Sequence, residues 1–151
     1  MFRGMHQINV DAKGRLAIPT KVREVLEGFG ASTLVVTVDS QDRCLMVYPL
    51  SEWQKIETQL DALPTLNKTA RQLKRLLLGH ATELEPDGSG RVLISPACRA
   101  YANISKECML MGQGNKLELW DKASWEAQEA EYLAQPVSLD DLPDDLKSLS
   151  L

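Results

Sequence analysis

Cysteine is scarce in this chain. Cys44, Cys98 and Cys108 are odd in number, widely spaced and set among apolar neighbours. They suit no disulfide framework and read as small, reduced core side chains. Histidine is scarcer still. His6 and His80 add nothing to any cysteine at zinc-ligand spacing, so no metal site is expected. Long apolar runs are missing too: no stretch reaches the roughly 18 residues of a membrane span. The opening MFRGMHQINV has no apolar core of the kind a secretory leader needs. The expectation is a cytoplasmic protein without membrane contact. The motifs of small-molecule chemistry are absent as well, with no Walker loop, no dinucleotide fingerprint, and no Ser or Cys nucleophile beside a placed His. Gly112 and Gly114 in MGQGNK read as hairpin glycines. Neither a catalytic activity nor a cofactor is expected.

What the chain does have is an uneven spread of charge. Its 151 residues, 44% hydrophobic and 25% charged, describe a soluble globular protein with one sizeable core or two small ones. The net charge of −4 argues at first against nucleic acid. Yet the chain from position 121 onward holds eight acidic and two basic residues, net −6, which leaves +2 on residues 1–120. Within residues 1–23, Arg3, Lys13, Arg15, Lys21 and Arg23 face Asp11 alone, net +4. A second basic cluster is Lys68, Arg71, Lys74 and Arg75. An acidic tail thus masks a body with basic patches; such runs also occur as ordinary solvated faces.

The chain repeats itself. DAKGR at Asp11–Arg15 returns as DGSGR at Asp87–Arg91, an offset of 76 that also pairs Leu16 with Val92, Ile18 with Ile94 and Arg23 with Arg99. Further on the offset is 72, pairing Leu45 with Leu117, Tyr48 with Trp120 and Trp53 with Trp125. Each half reads as one unit. MHQINV alternates as a strand should, and RLAI resumes a second strand after the DAKG turn, where Gly14 supplies positive φ. A helix then opens at Pro19 with Thr20 as a cap. TLVVTV and CLMVY form a hairpin, and SEWQKIETQL forms a helix with Ser51 and Gln54 in capping-box register. NKTARQLKRLLLG makes a helix between the halves, with apolar positions at 70, 73, 76 and 77. A half alone is too small for a good core. The two are expected to pair about a pseudo-two-fold axis and close a small, mixed α+β, strand-rich barrel with flanking helices. Trp53 and Trp125 read as core or interface anchors.

The repeated Asp-x-x-Gly-Arg turn carries the candidate chemistry. Asp11 and Asp87 suit side-chain capping of their own turns, with Gly14 and Gly90 as the turn glycines. A pair of carboxylates across a two-fold could instead act as an aspartic-protease dyad, although Gly follows Asp by three positions where that signature needs two. Arg15, Lys13 and Arg3, with Arg91 in the second copy, suit either local ion pairs or contacts to guanine edges and phosphate. Ser89 stands where Lys13 stands, so the first hairpin should dominate.

MFRG, DAKGR-x-x-x-P-x-x-x-R from Asp11 to Arg23, RLLLGHA from Arg75 and DGSGR from Asp87 together resemble the MraZ family of bacterial transcriptional regulators. The resemblance spans nearly the whole chain. It implies two AbrB-like swapped-hairpin modules, 1–53 and 78–125, joined by linking helices over 54–77 and followed by a C-terminal helix and acidic tail over 126–151. It implies a ring-shaped homo-oligomer in the nucleoid, binding short G-rich direct repeats in promoter DNA of the division and cell-wall gene cluster, as a repressor. Arg15 is expected to read bases, Lys13 and Arg3 to contact phosphate, and Arg91 to assist. A scaffold ring with protein partners, or a barrel hydrolase using Asp11 and Asp87, are the competing readings.

Overall fold

Period-two segments and helical segments alternate through the chain, and the computed structural model, which describes residues 1–30 and 32–150, follows that order. The first half contains β1 (Met5–Asn9), β2 (Arg15–Ala17), α1 (Thr20–Gly28), β3 (Leu34–Val38), β4 (Leu45–Pro49) and α2 (Leu50–Asp61). Helix α3 (Lys68–Leu77) links the halves. The second half repeats the series as β5 (Thr82–Leu84), β6 (Arg91–Leu93), α4 (Pro96–Tyr101), β7 (Glu107–Gly112), β8 (Leu117–Asp121) and α5 (Lys122–Ala134). Two 3-10 turns follow, at Leu139–Asp141 and Asp144–Leu146.

Six strands form one antiparallel sheet in the order β1-β7-β8-β4-β3-β5, and β2 and β6 form a separate two-stranded ribbon. The expected closed barrel is therefore not present. Strands β2 and β6 pair with each other rather than bridging the sheet edges; a lone bridge, Val10 to Leu16, ties β2 back to the chain leaving β1. At one edge of the sheet β5 is only three residues long, and a short edge strand offers little template for pairing. The pseudo-two-fold holds. Leu45 lies opposite Leu119 and Val47 opposite Leu117 across β4 and β8, and Leu16 lies opposite Val92 in the ribbon. The halves also exchange their first strands: β1 pairs with β7, and β5 with β3.

The sheet has two covered faces. On one, Leu34, Val36, Val38, Leu45, Val47, Leu110, Leu117 and Leu119 pack against Leu16, Val22, Leu26, Val92, Ile94 and Cys98 of the ribbon, α1 and α4. Leu34, Leu110, Leu117 and Leu119 are each 1% exposed, and each buried leucine stabilises the fold by about 1.5–3 kcal/mol. On the other face, Val35, Met46 and Tyr48 meet Trp53, Leu60 and Leu77, while Met111 and Trp120 meet Trp125. Both tryptophans paired by the repeat are thus core residues. The buried Thr37 hydroxyl donates to the Leu77 carbonyl at 2.6 Å and ties α3 to β3.

Two cap expectations fail. Thr20 is already helical, and the residue before α1 is Pro19 at φ −57° and ψ 145°, with no side-chain cap bond. Likewise α2 begins at Leu50 directly after Pro49, and the Ser51–Gln54 box does not form. At both helix starts a proline sets the extended residue before the helix by its fixed φ. For α2, the Leu50 N–H is satisfied instead by the Thr33 carbonyl at 3.1 Å. Helices α2 and α5 run across positions 53 and 125, so those sequence boundaries fall inside continuous helices.

Candidate nucleic-acid interface

Each Asp-x-x-Gly-Arg segment folds into the same tip. In the first, Asp11 Oδ1 accepts from the backbone N–H of Lys13 and of Arg15, both at 2.9 Å, and Oδ2 accepts from Arg15 Nε at 3.0 Å. The Gly14 N–H donates to the Asp11 carbonyl at 3.0 Å, and Gly14 adopts φ +85°. In the second, Asp87 Oδ1 accepts from Ser89 N at 2.8 Å and Arg91 N at 2.9 Å, and Oδ2 from Arg91 Nε at 3.2 Å. Gly90 adopts φ +75°. The aspartates therefore act as turn caps, and they also hold their arginines in a fixed direction. The Arg15 backbone N–H, with its guanidinium and the Lys13 N–H behind it, holds the Asp11 carboxyl below its ordinary value despite some opposing desolvation. The Arg91 and Ser89 N–H groups do the same for Asp87.

The ribbon brings the two arginines together. Arg15 lies opposite Leu93 and Ala17 opposite Arg91, so Arg15 and Arg91 share its outward face while Leu16 and Val92 point into the core. Diagonal neighbours of this kind lie about 7–8 Å apart. Arg15 and Arg91 keep 34% and 41% of their side-chain surface open. Two further bonds lock the tips to each other: Ile18 N donates to the Gly90 carbonyl at 2.8 Å, and Ile94 N to the Gly14 carbonyl at 3.0 Å.

Two arginines that the repeat pairs, and that the sequence reading left out of the site, complete it. A Cβ on Gly14 would lie 2.7 Å from Arg99 Cζ, and a Cβ on Gly90 would lie 2.8 Å from Arg23 Cζ. Each tip is thus covered by a guanidinium from a helix of the other half. Arg99 Nε donates to the Ile94 carbonyl at 3.1 Å. Arg23 Nε is buried without a hydrogen-bond partner, while its Nη2 donates to Thr20 Oγ1 at 3.2 Å. The signal for this pair was in the sequence: Arg23 and Arg99 match at the same offset as the motif arginines.

Lys13 is exposed at the first tip, and the matching Ser89 is exposed at the second. Arg3 is not brought to either tip. It precedes β1 and lines a groove with Phe2, His6, Lys21 and Val25, at the opposite end of that strand from Asp11. Seven residue steps, five of them through β1, separate Arg3 from Val10, at most about 23 Å at strand rise. Arg3 and Lys21 thus form a basic site apart from the ribbon.

The geometry gives little support to a carboxylate dyad. Two carboxylates sharing a proton require one raised pKa, whereas Asp11 and Asp87 are both lowered and each is bound to its own arginine. Among the described residues one group of possible metal donors converges, Asp39, Cys44 and Glu118, within 4.8 Å of one another. Its atoms have other roles. Asp39 Oδ1 accepts from Gln41 N and Asp42 N, and Glu118 Oε1 from Trp120 Nε1. Burial first, then the neighbouring Glu118 and Asp39, pushes the Cys44 thiol well above its ordinary range and keeps it protonated.

A two-stranded basic ribbon on a duplicated sheet defines a candidate binding module. The comparisons agree with that class. The chain matches the family model of the MraZ protein, described as antitoxin-like, twice, over residues 1–76 and 77–142. It is 51% identical to the transcriptional regulator MraZ of Halorhodospira halophila over 152 residues, covering 100% of both chains. The proteins of the same name from Coxiella burnetii and Legionella pneumophila are 49% and 46% identical, again over the full length of both chains. The chain belongs to the MraZ family.

Proposed function

We propose that this protein is a sequence-specific DNA-binding transcriptional regulator, acting as a repressor at short G-rich direct repeats in the promoter of the division and cell-wall gene cluster. The observation that carries this reading is the pair Arg15 and Arg91 on the outward face of one rigid ribbon. A B-form major groove is about 12 Å wide and admits a two-stranded ribbon. Arginine bonds guanine O6 and N7 bidentately, and a guanidinium whose Nε is already held by an aspartate presents its two terminal nitrogens outward in a fixed plane. Arg15 reads guanine, Lys13 contacts phosphate beside it, and Arg91 assists from the second tip. Arg3, with Lys21, serves as a separate phosphate contact. Asp11, Gly14, Asp87 and Gly90 shape the tips, and Arg23 and Arg99 brace them.

The exchange of first strands between halves is read here as the AbrB-like swapped-hairpin arrangement. One chain presents one ribbon, and few cations on a small surface bind DNA weakly, with a salt dependence that steepens as each added copy neutralises more phosphates. A ring of copies would engage several repeats at once and raise avidity by ~10²–10⁴ without new contacts. The reading is of binding in the cytoplasm at the nucleoid, without catalysis.

Fluorescence anisotropy with a promoter fragment carrying G-rich direct repeats tests this, using wild type, Arg15→Ala and scrambled DNA at two salt concentrations. Tight wild-type binding that is lost in Arg15→Ala is expected. Equal, salt-insensitive binding of every sequence would reject it.

A further inference from the structure

Helix α3 carries four cations on a rigid frame and no counter-ion. Lys68, Arg71, Lys74 and Arg75 have no carboxylate at ion-pair distance among the described residues. Lys68 and Arg71, Arg71 and Lys74, and Arg71 and Arg75 are three or four positions apart, so like charges neighbour one another and oppose the helix. The first turn holds no acidic residue, so Lys68 also sits against the positive end of the helix dipole. The helix is nevertheless fixed. Asn67 caps it through Ala70 N at 2.9 Å, and Ala70 and Leu77 are buried. Lys68, Arg71, Gln72 and Arg75 line a shallow depression with Leu76, and Leu66 just before the helix is 93% exposed.

The last segment of the chain is complementary in charge and in apolar spacing. After α5 come Asp140, Asp141, Asp144 and Asp145, with Lys147 as the sole cation. Leu139, Leu142, Leu146 and Leu149 recur at intervals of three, four and three along two 3-10 turns that Pro143 separates. Leu139, Leu146 and Leu149 are 43%, 52% and 55% exposed, and among the described residues the one ion pair in the segment is Lys147 with Asp144 at 3.0 Å. The tail follows α5, which packs on β7 and β8, whereas α3 packs on β3 and α2.

We propose that the tail of one copy docks on the α3 face of a second copy, its aspartates meeting Lys68, Arg71, Lys74 and Arg75 and its leucines covering Leu76 and Leu66. Leucines on both sides favour this occupant over a duplex, whose phosphates give leucine nothing to pack on. Leu73 and Leu77 of α3 pack on the face of the sheet opposite the ribbon, while Leu76 reaches the ribbon-side core. This interface rests on the self-association part of the preceding reading and not on its DNA part.

The test uses the full chain. Equal amounts of ¹⁴N- and ¹⁵N-labelled protein are mixed, treated with a zero-length carbodiimide cross-linker and digested. Links from a tail aspartate to Lys68 or Lys74 are expected in mixed-isotope pairs; links within one isotope only would place the tail on its own chain and overturn the proposal. In parallel, sedimentation compares wild type with R71E/R75E, with D144R/D145R and with the four changes combined. Each pair alone should weaken self-association at least ~10-fold, and the combination should restore it. The tail variant touches no core residue, so it reports even if the helix variant unfolds. Unchanged assembly in both pairs refutes the interface and leaves the self-association reading standing. A monomeric wild type refutes both. Anisotropy on the promoter fragment gives the remaining outcome: if R71E/R75E loses DNA while remaining assembled, the face belongs to phosphate and the proposal falls.

Discussion

Replacing Gly14 by alanine should cost more than replacing Gly90, although the two tips look alike. Both glycines have positive φ, +85° and +75°, and an L-residue there costs about 1–2 kcal/mol. Both methyl groups would also drive into a guanidinium, at 2.7 Å from Arg99 Cζ and 2.8 Å from Arg23 Cζ. The difference lies in what each guanidinium has to give up. Arg99 Nε holds a part-buried 3.1 Å bond to the Ile94 carbonyl, whereas Arg23 Nε holds none and its Nη2 has only the exposed 3.2 Å bond to Thr20 Oγ1, the weaker one to lose. Breaking the Arg99 bond adds about 1 kcal/mol, so Gly14→Ala is expected to cost about 2–3 kcal/mol and Gly90→Ala about 1–2 kcal/mol. Urea unfolding at fixed protomer concentration measures both. Its signal is the fluorescence of Trp53, Trp120 and Trp125, all less than 10% exposed at 2%, 5% and 8%. The double variant Gly14→Ala/Arg99→Ala should show a coupling of about 1 kcal/mol, because the clash is gone while the φ strain remains. Equal costs at the two glycines, or no coupling to Arg99, would mean that the crossed guanidinium brace is not part of what holds the tips.

Ser89→Lys should give the second tip the cation of the first and steepen the salt dependence of DNA binding by about 0.9 in log–log slope; an unchanged slope would put the second tip off the DNA. Asp11 and Asp87 have folded-state pKa values below the ordinary 3.8. Their contribution to stability is therefore complete above that value and lost as pH falls through the lowered ones. The urea midpoint of wild type should drop on acidification in that range, and the Asp11→Asn/Asp87→Asn variant should lose part of that drop. Burial holds Cys108 up at about 11 and Cys44 higher. Alkylation of both by iodoacetamide at pH 8 should be at least roughly a hundredfold slower in the native protein than in urea, and rapid native labelling would mean that the sheet opens locally.

The repeat was legible because its signals are local. An Asp that caps its own turn, a Gly at positive φ and an Arg that donates two hydrogen bonds to that Asp all act within five residues, so Asp11–Arg15 and Asp87–Arg91 could be matched without knowing the fold. The alternation of MHQIN and the polar/apolar pattern of KTARQLKRLL are local in the same sense, and β1 and α3 lie where those patterns place them. Closure was not legible, because strand partners are chosen by contacts far apart in sequence. Nothing within RLA says that Leu16 pairs with Val92 beyond its bridge to the nearby Val10, since that choice depends on the core shared by Ile18, Ile94 and the β4–β8 pair. The helices lie where the sequence places them, but their caps were missed for a related reason: Thr20 and Ser51 are good caps in isolation, yet a proline takes the N-cap position before each helix, and in α2 the Leu50 N–H reaches a long-range partner, the Thr33 carbonyl. Arg23 and Arg99 show the same limit at the site. Each looks like an ordinary helix cation in its own half, and its role exists only because the other half's glycine leaves room for it. A duplicated fold that crosses its strands therefore places part of each binding tip in the opposite repeat, where a motif search within one repeat does not look.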